Sequence, residues 1–404
     1  MVYLHVPFCR SFCTYCDFYS EIACRGRDAQ LFEDFTAAVC AEASLRRDEI
    51  EATRDLNTLY IGGGTPSVLP PSLLRRLVAS LMTGGAPFTE FTVEVNPEDI
   101  VEKGAAYVRG LLELGVNRVS MGVQSLDDGI LRWMNRRHDA AHARQAFRIL
   151  RDTGVKNISV DLIFGLSQLS EATLTDTLRE IVAWRPEHVS AYQLSIEEGS
   201  ALGKLVREGR YEEASQEQCA AQYRLLCDGL RAAGYGHYEI SNWALPGFEA
   251  VHNSAYWTRH PYVGLGPGAH SFDGKVRSWN KDALPPATAA TAPGNRASKL
   301  ACSPTPCTPF QGDSTLSGGF VRGAVSGGSW PLRGGQERLS EEEAREETVM
   351  LGLRTARGVA EGLLEADKAA AMLADGRLER LPGGQIRIPE NHWFVSDDII
   401  ADLL

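Results

Sequence analysis

Cys9-Arg10-Ser11-Phe12-Cys13-Thr14-Tyr15-Cys16 is the stretch that decides how this chain reads, and it follows directly on an apolar, strand-like run, Val2-Tyr3-Leu4-His5-Val6. Three thiols spaced C-x3-C-x2-C can converge on one metal centre from a single loop. Thiolates are soft ligands that suit iron-sulfur clusters or zinc. A cubic 4Fe-4S cluster needs one protein ligand per iron, so three cysteines leave one iron open, and an open site is where substrate binds. A structural zinc ion would need a fourth ligand, for which His5 and Cys24 are the candidates.

Outward from that loop, composition narrows the class. A chain of 404 residues has room for two domains, one of them large. Nine cysteines, an odd number with three in one loop, do not form a disulfide framework, and reduced thiols are what an iron-sulfur site requires. The net charge of -11 argues against a nucleic-acid footprint, which should be basic. No apolar run is long enough for a transmembrane segment. The first residues enter a strand without the pattern of a secretory signal or an Arg-rich presequence, so a cytoplasmic location is expected.

To about residue 235, strand-length runs alternate with helical patterns, which marks repeated βα units around a parallel sheet. Strands are predicted at residues 2 to 6, 56 to 61, 90 to 95, 117 to 123, 157 to 163 and 187 to 194. The segment from Ala29 to Arg46 repeats Phe32, Phe35, Ala38 and Val39 at helical spacing. Each strand ends in polar or glycine-rich residues: the cysteine loop, Gly62-Gly63-Gly64-Thr65-Pro66, Glu94 before Asn96-Pro97, Gln124-Ser125, Asp161 before Phe164-Gly165, and Gln193 with Glu197. In a βα barrel such ends ring one mouth where ligands bind. The expected fold is therefore α/β, a partial (β/α)6 barrel over residues 1 to 235.

Residues 236 to 280 form an extension rich in histidine and aromatics, including His252-Asn253-Ser254-Ala255-Tyr256-Trp257. Residues 281 to 336 lose periodicity, become rich in Pro, Ala, Thr, Ser and Gly, and read as a flexible insertion that carries Cys302 and Cys307. From 337 to 404 order returns. Ser340 and Glu343 make a capping box for a helix through Leu353, with Gly358 as a stop. A second helix over 360 to 375, a strand over 385 to 388 and a last helix capped by Ser396 follow. This order suggests a small winged-helix-like domain. With 8 basic against 15 acidic residues it is suited to packing or protein contact rather than DNA.

Tyr3-x-His5-x-Pro7-Phe8-Cys9, Tyr15-Cys16-Asp17-Phe18, Gly122-Val123-Gln124-Ser125 and Asp161-Leu162-Ile163-Phe164-Gly165-Leu166 resemble the radical S-adenosylmethionine (SAM) superfamily, in its coproporphyrinogen III oxidase-like branch. The resemblance implies a 4Fe-4S cluster on Cys9, Cys13 and Cys16, with SAM chelating the open iron. It places SAM contacts at Tyr3, Tyr15, Gly63, Gly64, Thr65, Glu94, Gln124, Arg136 and Asp161. Taken alone, the triple glycine also reads as a tight turn, Glu94 as a solvent-facing strand residue, and Arg136 as a solvated helix end.

Two departures from the oxidase point to the haem chaperone subgroup of that branch. Phe18 stands where the oxidase carries a fourth cysteine, and the long N-terminal extension is missing ahead of Cys9. His252-Asn253-x-x-Tyr256-Trp257 matches a motif that the subgroup associates with haem, implying His252 and Tyr256 as haem-contacting residues. The alternative for that motif is a buried aromatic corner; His5, His237 and His270 read as structural. Gly165-Leu166 lacks the proline that usually follows in relatives. The resemblance implies haem, a haem-acceptor protein and a reductant as partners. The alternatives are a radical SAM enzyme, by oxidative decarboxylation of coproporphyrinogen or methyl transfer, and a zinc-stapled interaction module.

Overall fold

Six segments alternate between apolar and polar residues with a period of two, so each must present one face to hydrocarbon and the other to something wet. The computed structural model, which describes residues 1–23, 28–82, 86–284 and 333–404, resolves that requirement. The six strands are β1 (Val2–Val6), β2 (Thr58–Gly63), β3 (Glu90–Val95), β4 (Arg118–Gln124), β5 (Ile158–Phe164) and β6 (His188–Gln193). They pair in parallel in chain order, as expected of sequential βα units. Leu4, Ile61, Val93, Met121, Val160 and Val189 are buried in the shared core. The alternate positions carry Tyr60, Glu94, Ser120, Asp161 and Ser190, which bond to one another or across the interior. An ordinary βα barrel fills its centre with branched aliphatics; this one lines it with polar groups. It is a partial (β/α)6 barrel, close to the predicted strand boundaries.

Helices α1 (Ala29–Leu45), α2 (Pro71–Leu81), α3 (Pro97–Glu113), α4 (Asp128–Trp133), α5 (Ala140–Thr153) and α6 (Glu171–Trp184) occupy the connections, and α7 (Ala201–Arg207) and α8 (Gln216–Ala232) follow β6. In α1 the buried face is Phe35, Thr36, Val39, Glu42 and Ala43, shifted by one position from the predicted stripe because Glu42 is drawn inward. Its carboxylate accepts from Gly266 N (2.9 Å) and is also bonded by Asn280 and Arg46, which ties α1 to the histidine-rich extension.

That extension is divided between both edges of the sheet. Strands β7 (Gly236–Glu239) and β8 (Asn242–Ala244) add antiparallel beyond β6, whereas β9 (Val263–Leu265) pairs parallel with β1. Between them α9 (Val251–Trp257) lies under the amino ends of the barrel strands, where its first amides donate to the Glu90 carboxylate (2.8 and 2.9 Å). A carboxylate suits a helix start, whose N–H groups lack intrahelical partners.

Strands β10 (His270–Phe272), β11 (Val276–Asn280) and β12 (Arg333–Arg338) form a small antiparallel sheet. The expected flexible insertion therefore gives way to a strand at Arg333; Cys24, Cys302 and Cys307 lie outside the described residues. The small C-terminal domain runs α10 (Glu341–Leu353), β13 (Val359–Ala360), α11 (Ala366–Asp375), β14 (Glu379–Arg380), β15 (Gln385–Arg387) and α12 (Ser396–Leu403). The Ser340–Glu343 capping box forms as predicted. Ser396 does not cap α12: it is the first helical residue, and its buried hydroxyl has no hydrogen-bond partner among the described residues. A 3₁₀ turn at Glu390–Val395 runs directly into the helix and leaves no extended residue for the capping geometry.

Candidate functional site

Because all six strands run the same way, their carboxyl ends meet at one mouth, and the cysteine loop leaves β1 there. The loop is strapped down by the segment after α4: Thr14 N donates to Met134 O (3.0 Å), Thr14 Oγ1 to Trp133 O (2.9 Å) and Asn135 Nδ2 to Phe12 O (2.6 Å). A second strap comes from α7, where Leu202 N donates to Thr14 O (2.8 Å). Arg10 reaches the start of α3, 2.7 Å from the Glu102 carboxylate.

A polar chain then links two of the three thiols through the mouth. Cys9 Sγ lies 3.6 Å from Thr65 Oγ1, which accepts from Asn96 Nδ2 (3.1 Å). Asn96 Oδ1 accepts from Arg136 Nη2 (2.7 Å), and Arg136 Nη1 donates to Cys13 Sγ (3.5 Å). Arg136 also donates to Gly122 O (2.9 Å), so it is no solvated helix end. Burial alone would lower its pKa, but Tyr15, Cys13 and Glu98 outweigh that and hold it above the ordinary value. Asn96, two residues beyond Glu94 and still in extended backbone just past the end of β3, is a site residue that the sequence reading misses, and that spacing is the signal that could find it.

The three cysteines fit an iron-sulfur cluster better than one zinc ion. A tetrahedral zinc with Zn–S bonds of about 2.3 Å brings its sulfurs to roughly 3.8 Å from each other. Among the described residues, the group of three ligand atoms that lie within 4.8 Å of one another is Cys227, His237 and Glu390, not the loop. Burial raises the thiol pKa of Cys9, and that of Cys16 to about 12, so metal binding there must release protons. An N–H donor on Cys13 sulfur is the kind of contact that tunes a cluster's potential.

Below the mouth, Glu94 accepts from Tyr60 Oη (2.7 Å) and Gly63 N (3.1 Å). Burial, reinforced by the charge of Asp161, pushes its pKa up to about 7 against those two bonds. Asp161 accepts from Ser120 (2.9 Å), and burial raises its pKa too. Tyr3 Oη bonds His5 Nδ1 (3.0 Å) and His5 Nε2 faces Tyr19 O (2.9 Å). A carbonyl only accepts, so the ring proton sits on Nε2 and Tyr3 is the donor. Tyr15 packs against the core beside the cysteines, and burial raises its pKa.

The triple glycine is required by the protein's own packing. A Cβ on Gly63, whose φ is +108°, would lie 2.5 Å from the His5 ring, and one on Gly64 would lie 2.8 Å from Phe8 O. Gln124 has a left-handed backbone (φ +65°) at a register shift between β4 and β5. Such a bulge re-aims a side chain, and here a strained residue stands at the mouth.

His252 and Tyr256 lie at the other end. His252 is buried, with Nδ1 2.9 Å from Thr58 Oγ1 and Nε2 3.1 Å from Tyr256 Oη. Thr58 opens β2, so this pair forms the barrel floor, and the His252 ring packs 5.3 Å from that of Tyr60. Burial lowers the His252 pKa to about 3, which keeps the ring neutral.

Comparison with known proteins agrees with this geometry. The radical SAM superfamily matches residues 3–181. The chain is 34% identical to heme chaperone HemW of Bacillus subtilis (strain 168) over 69% of its length and 72% of that protein. It is 31% identical to heme chaperone HemW of Mycobacterium tuberculosis (strain H37Rv), over 100% of this chain and 94% of the other. This chain belongs to the HemW family of radical SAM proteins. Coproporphyrinogen III oxidase (HemN) of Escherichia coli, a radical SAM enzyme, shares the fold: TM-score 0.71 at 18% identity, over 99% of this chain and 89% of the enzyme. Among the described residues no helix is long and apolar enough to cross a membrane.

Proposed function

We propose that the chain is a haem chaperone, which binds haem and hands it to acceptor proteins on a scaffold that also carries a 4Fe-4S cluster and SAM. The observation that carries the choice against an oxidase is Phe18, 53% exposed at the end of the cysteine loop, where the resemblance gives the oxidase a fourth cysteine. Full-length similarity to proteins named as haem chaperones supports the same reading. Cys9, Cys13 and Cys16 would hold the cluster, which when bound supplies single electrons to the SAM sulfonium. The resemblance assigns the SAM contacts to Tyr3, Tyr15, Gly63, Gly64, Thr65, Glu94, Gln124, Arg136 and Asp161. Glu94, its proton displaced, is a carboxylate acceptor for the SAM ammonium. A reductant and an apo-acceptor protein complete the partners, in the cytoplasm.

Haem is assigned to the floor, at His252 and Tyr256. Iron coordination by His252 Nε2 requires the Tyr256 hydroxyl to leave it. Tyr256→Phe should therefore tighten haem binding, and His252→Ala should remove the stoichiometric Soret change. A Soret change unaltered in His252→Ala sinks that assignment.

A second reading, a radical SAM enzyme, is favoured by the complete thiol triad and the polar interior. Reconstituted protein given reductant, SAM and coproporphyrinogen III without oxygen should form no protoporphyrinogen if the chaperone reading is right. Turnover would overturn it.

A further inference from the structure

A third cluster of chemistry lies outside the barrel, where α8, the edge strand β7 and the C-terminal domain meet. Cys227, His237 and Glu390 place a sulfur, a ring nitrogen and a carboxylate oxygen within 4.8 Å of one another. His237 reads as structural in the sequence, and its surroundings do lock it. Trp243 stacks on its ring at 4.1 Å, and Trp393 meets it edge-on at 4.3 Å. Its side chain is 3% exposed; that of Glu390 is 33% exposed.

Both ring nitrogens face acceptors: Nδ1 is 3.0 Å from Glu390 Oε1, and Nε2 is 3.3 Å from Ile240 O. A neutral imidazole has one N–H, so one of these contacts opposes two lone pairs unless a cation stands between them. With Nε2–H donated to Ile240 O, the Nδ1 lone pair is aimed at the carboxylate, with the thiol close by. Metal-binding histidines commonly donate their other N–H to a carbonyl in this way. The separation of 3.0 Å is near the edge of about 3.3 Å between tetrahedral ligands at about 2.0 Å from zinc. Arg231 also donates to Glu390 Oε1 (2.7 Å) and holds the carboxylate in place.

We propose that Cys227, His237 and Glu390 bind a divalent zinc ion that staples the C-terminal domain to the edge of the barrel sheet. Sulfur, imidazole and carboxylate together suit zinc, with water as the fourth ligand on the exposed Glu390 side. The site is independent of the cysteine loop and of haem.

The test uses the full-length, cluster-loaded chain, equilibrated with zinc chloride and desalted. About one zinc per chain should remain. Glu390→Gln and Cys227→Ser should each weaken retention by at least ~10-fold. Chelation should lower the melting temperature of the parent but not of Glu390→Gln. Cobalt(II) should give a thiolate charge-transfer band that Cys227→Ser lacks, and the Cys9→Ser/Cys13→Ser/Cys16→Ser variant should keep both zinc and band. Zinc lost in that triple variant, or retained equally in Glu390→Gln, would overturn the assignment. If Cys227→Ser misfolds, the Glu390→Gln comparison decides.

Discussion

The two ends of the barrel are built from the same kinds of side chain and differ in how those groups are satisfied. At the floor the two ring nitrogens and the amide of the histidine are occupied: Thr58 and Tyr256 take both His252 nitrogens, and Glu90 takes its backbone amide. At the mouth the groups are linked but keep capacity to bind more. Thiols on Cys9 and Cys16 are held protonated by burial, and burial pushes the Glu94 pKa up to about 7. A saturated cluster fixes structure, whereas one that burial keeps away from its preferred ionisation is ready for a cation or a charged cofactor. The mouth thus reads as the cofactor site, and the floor as a plug that must open a bond before it can coordinate anything.

The largest effect expected is at the mouth. Cys13→Ala should reduce reconstituted iron and sulfide to background while the melting temperature of the cofactor-free chain moves little. A melting shift as large as that of a core truncation would show the thiol to be structural instead. Next is Arg136→Met, which removes the donor to Cys13 sulfur and Asn96. Lost outer-sphere contacts of this kind typically cost 10- to 100-fold, so SAM affinity, read by SAM-dependent change in the reduced cluster's EPR spectrum, should fall by at least ~10-fold.

Glu94 sharpens the contrast through pH. Its folded pKa of about 7 lies above the ordinary carboxyl value of 4.5. The folded state therefore binds the extra proton, and the associated stability is complete below about pH 4.5 and lost as pH rises through 7. The stability of the cofactor-free chain against unfolding should fall by up to roughly 3 kcal/mol across that window. Glu94→Gln should flatten the slope, and an unchanged slope would assign it elsewhere. At the floor, His252→Ala leaves Thr58 and Tyr256 without this partner and should cost roughly 3 kcal/mol with the iron content intact. Tyr256→Phe, the smallest change, should cost about 1 kcal/mol.

Much of the mouth was legible because it is local in sequence. The loop Cys9 to Cys16 and the strand ends at Gly63, Glu94 and Asp161 each follow an alternating run whose direction is fixed by parallel βα repetition. The links between them were not, since Thr65, Asn96 and Arg136 meet only through tertiary packing. The contacts at the floor are hidden from the sequence for the same reason. His252 sits 194 residues from Thr58, and nothing in its motif reveals that a threonine occupies one nitrogen. Likewise Ser396 carried a cap residue's chemistry, but the preceding 3₁₀ turn denied it the geometry.

Iron, acid-labile sulfide and haem counted on one oxygen-free preparation decide whether the three thiols hold a cluster apart from haem. About four irons and four sulfides per chain are expected, lost together when Cys9, Cys13 and Cys16 are replaced by serine, with haem uptake preserved in that variant. Colourless, iron-poor protein, or haem uptake that vanishes along with the three thiols, would contradict it.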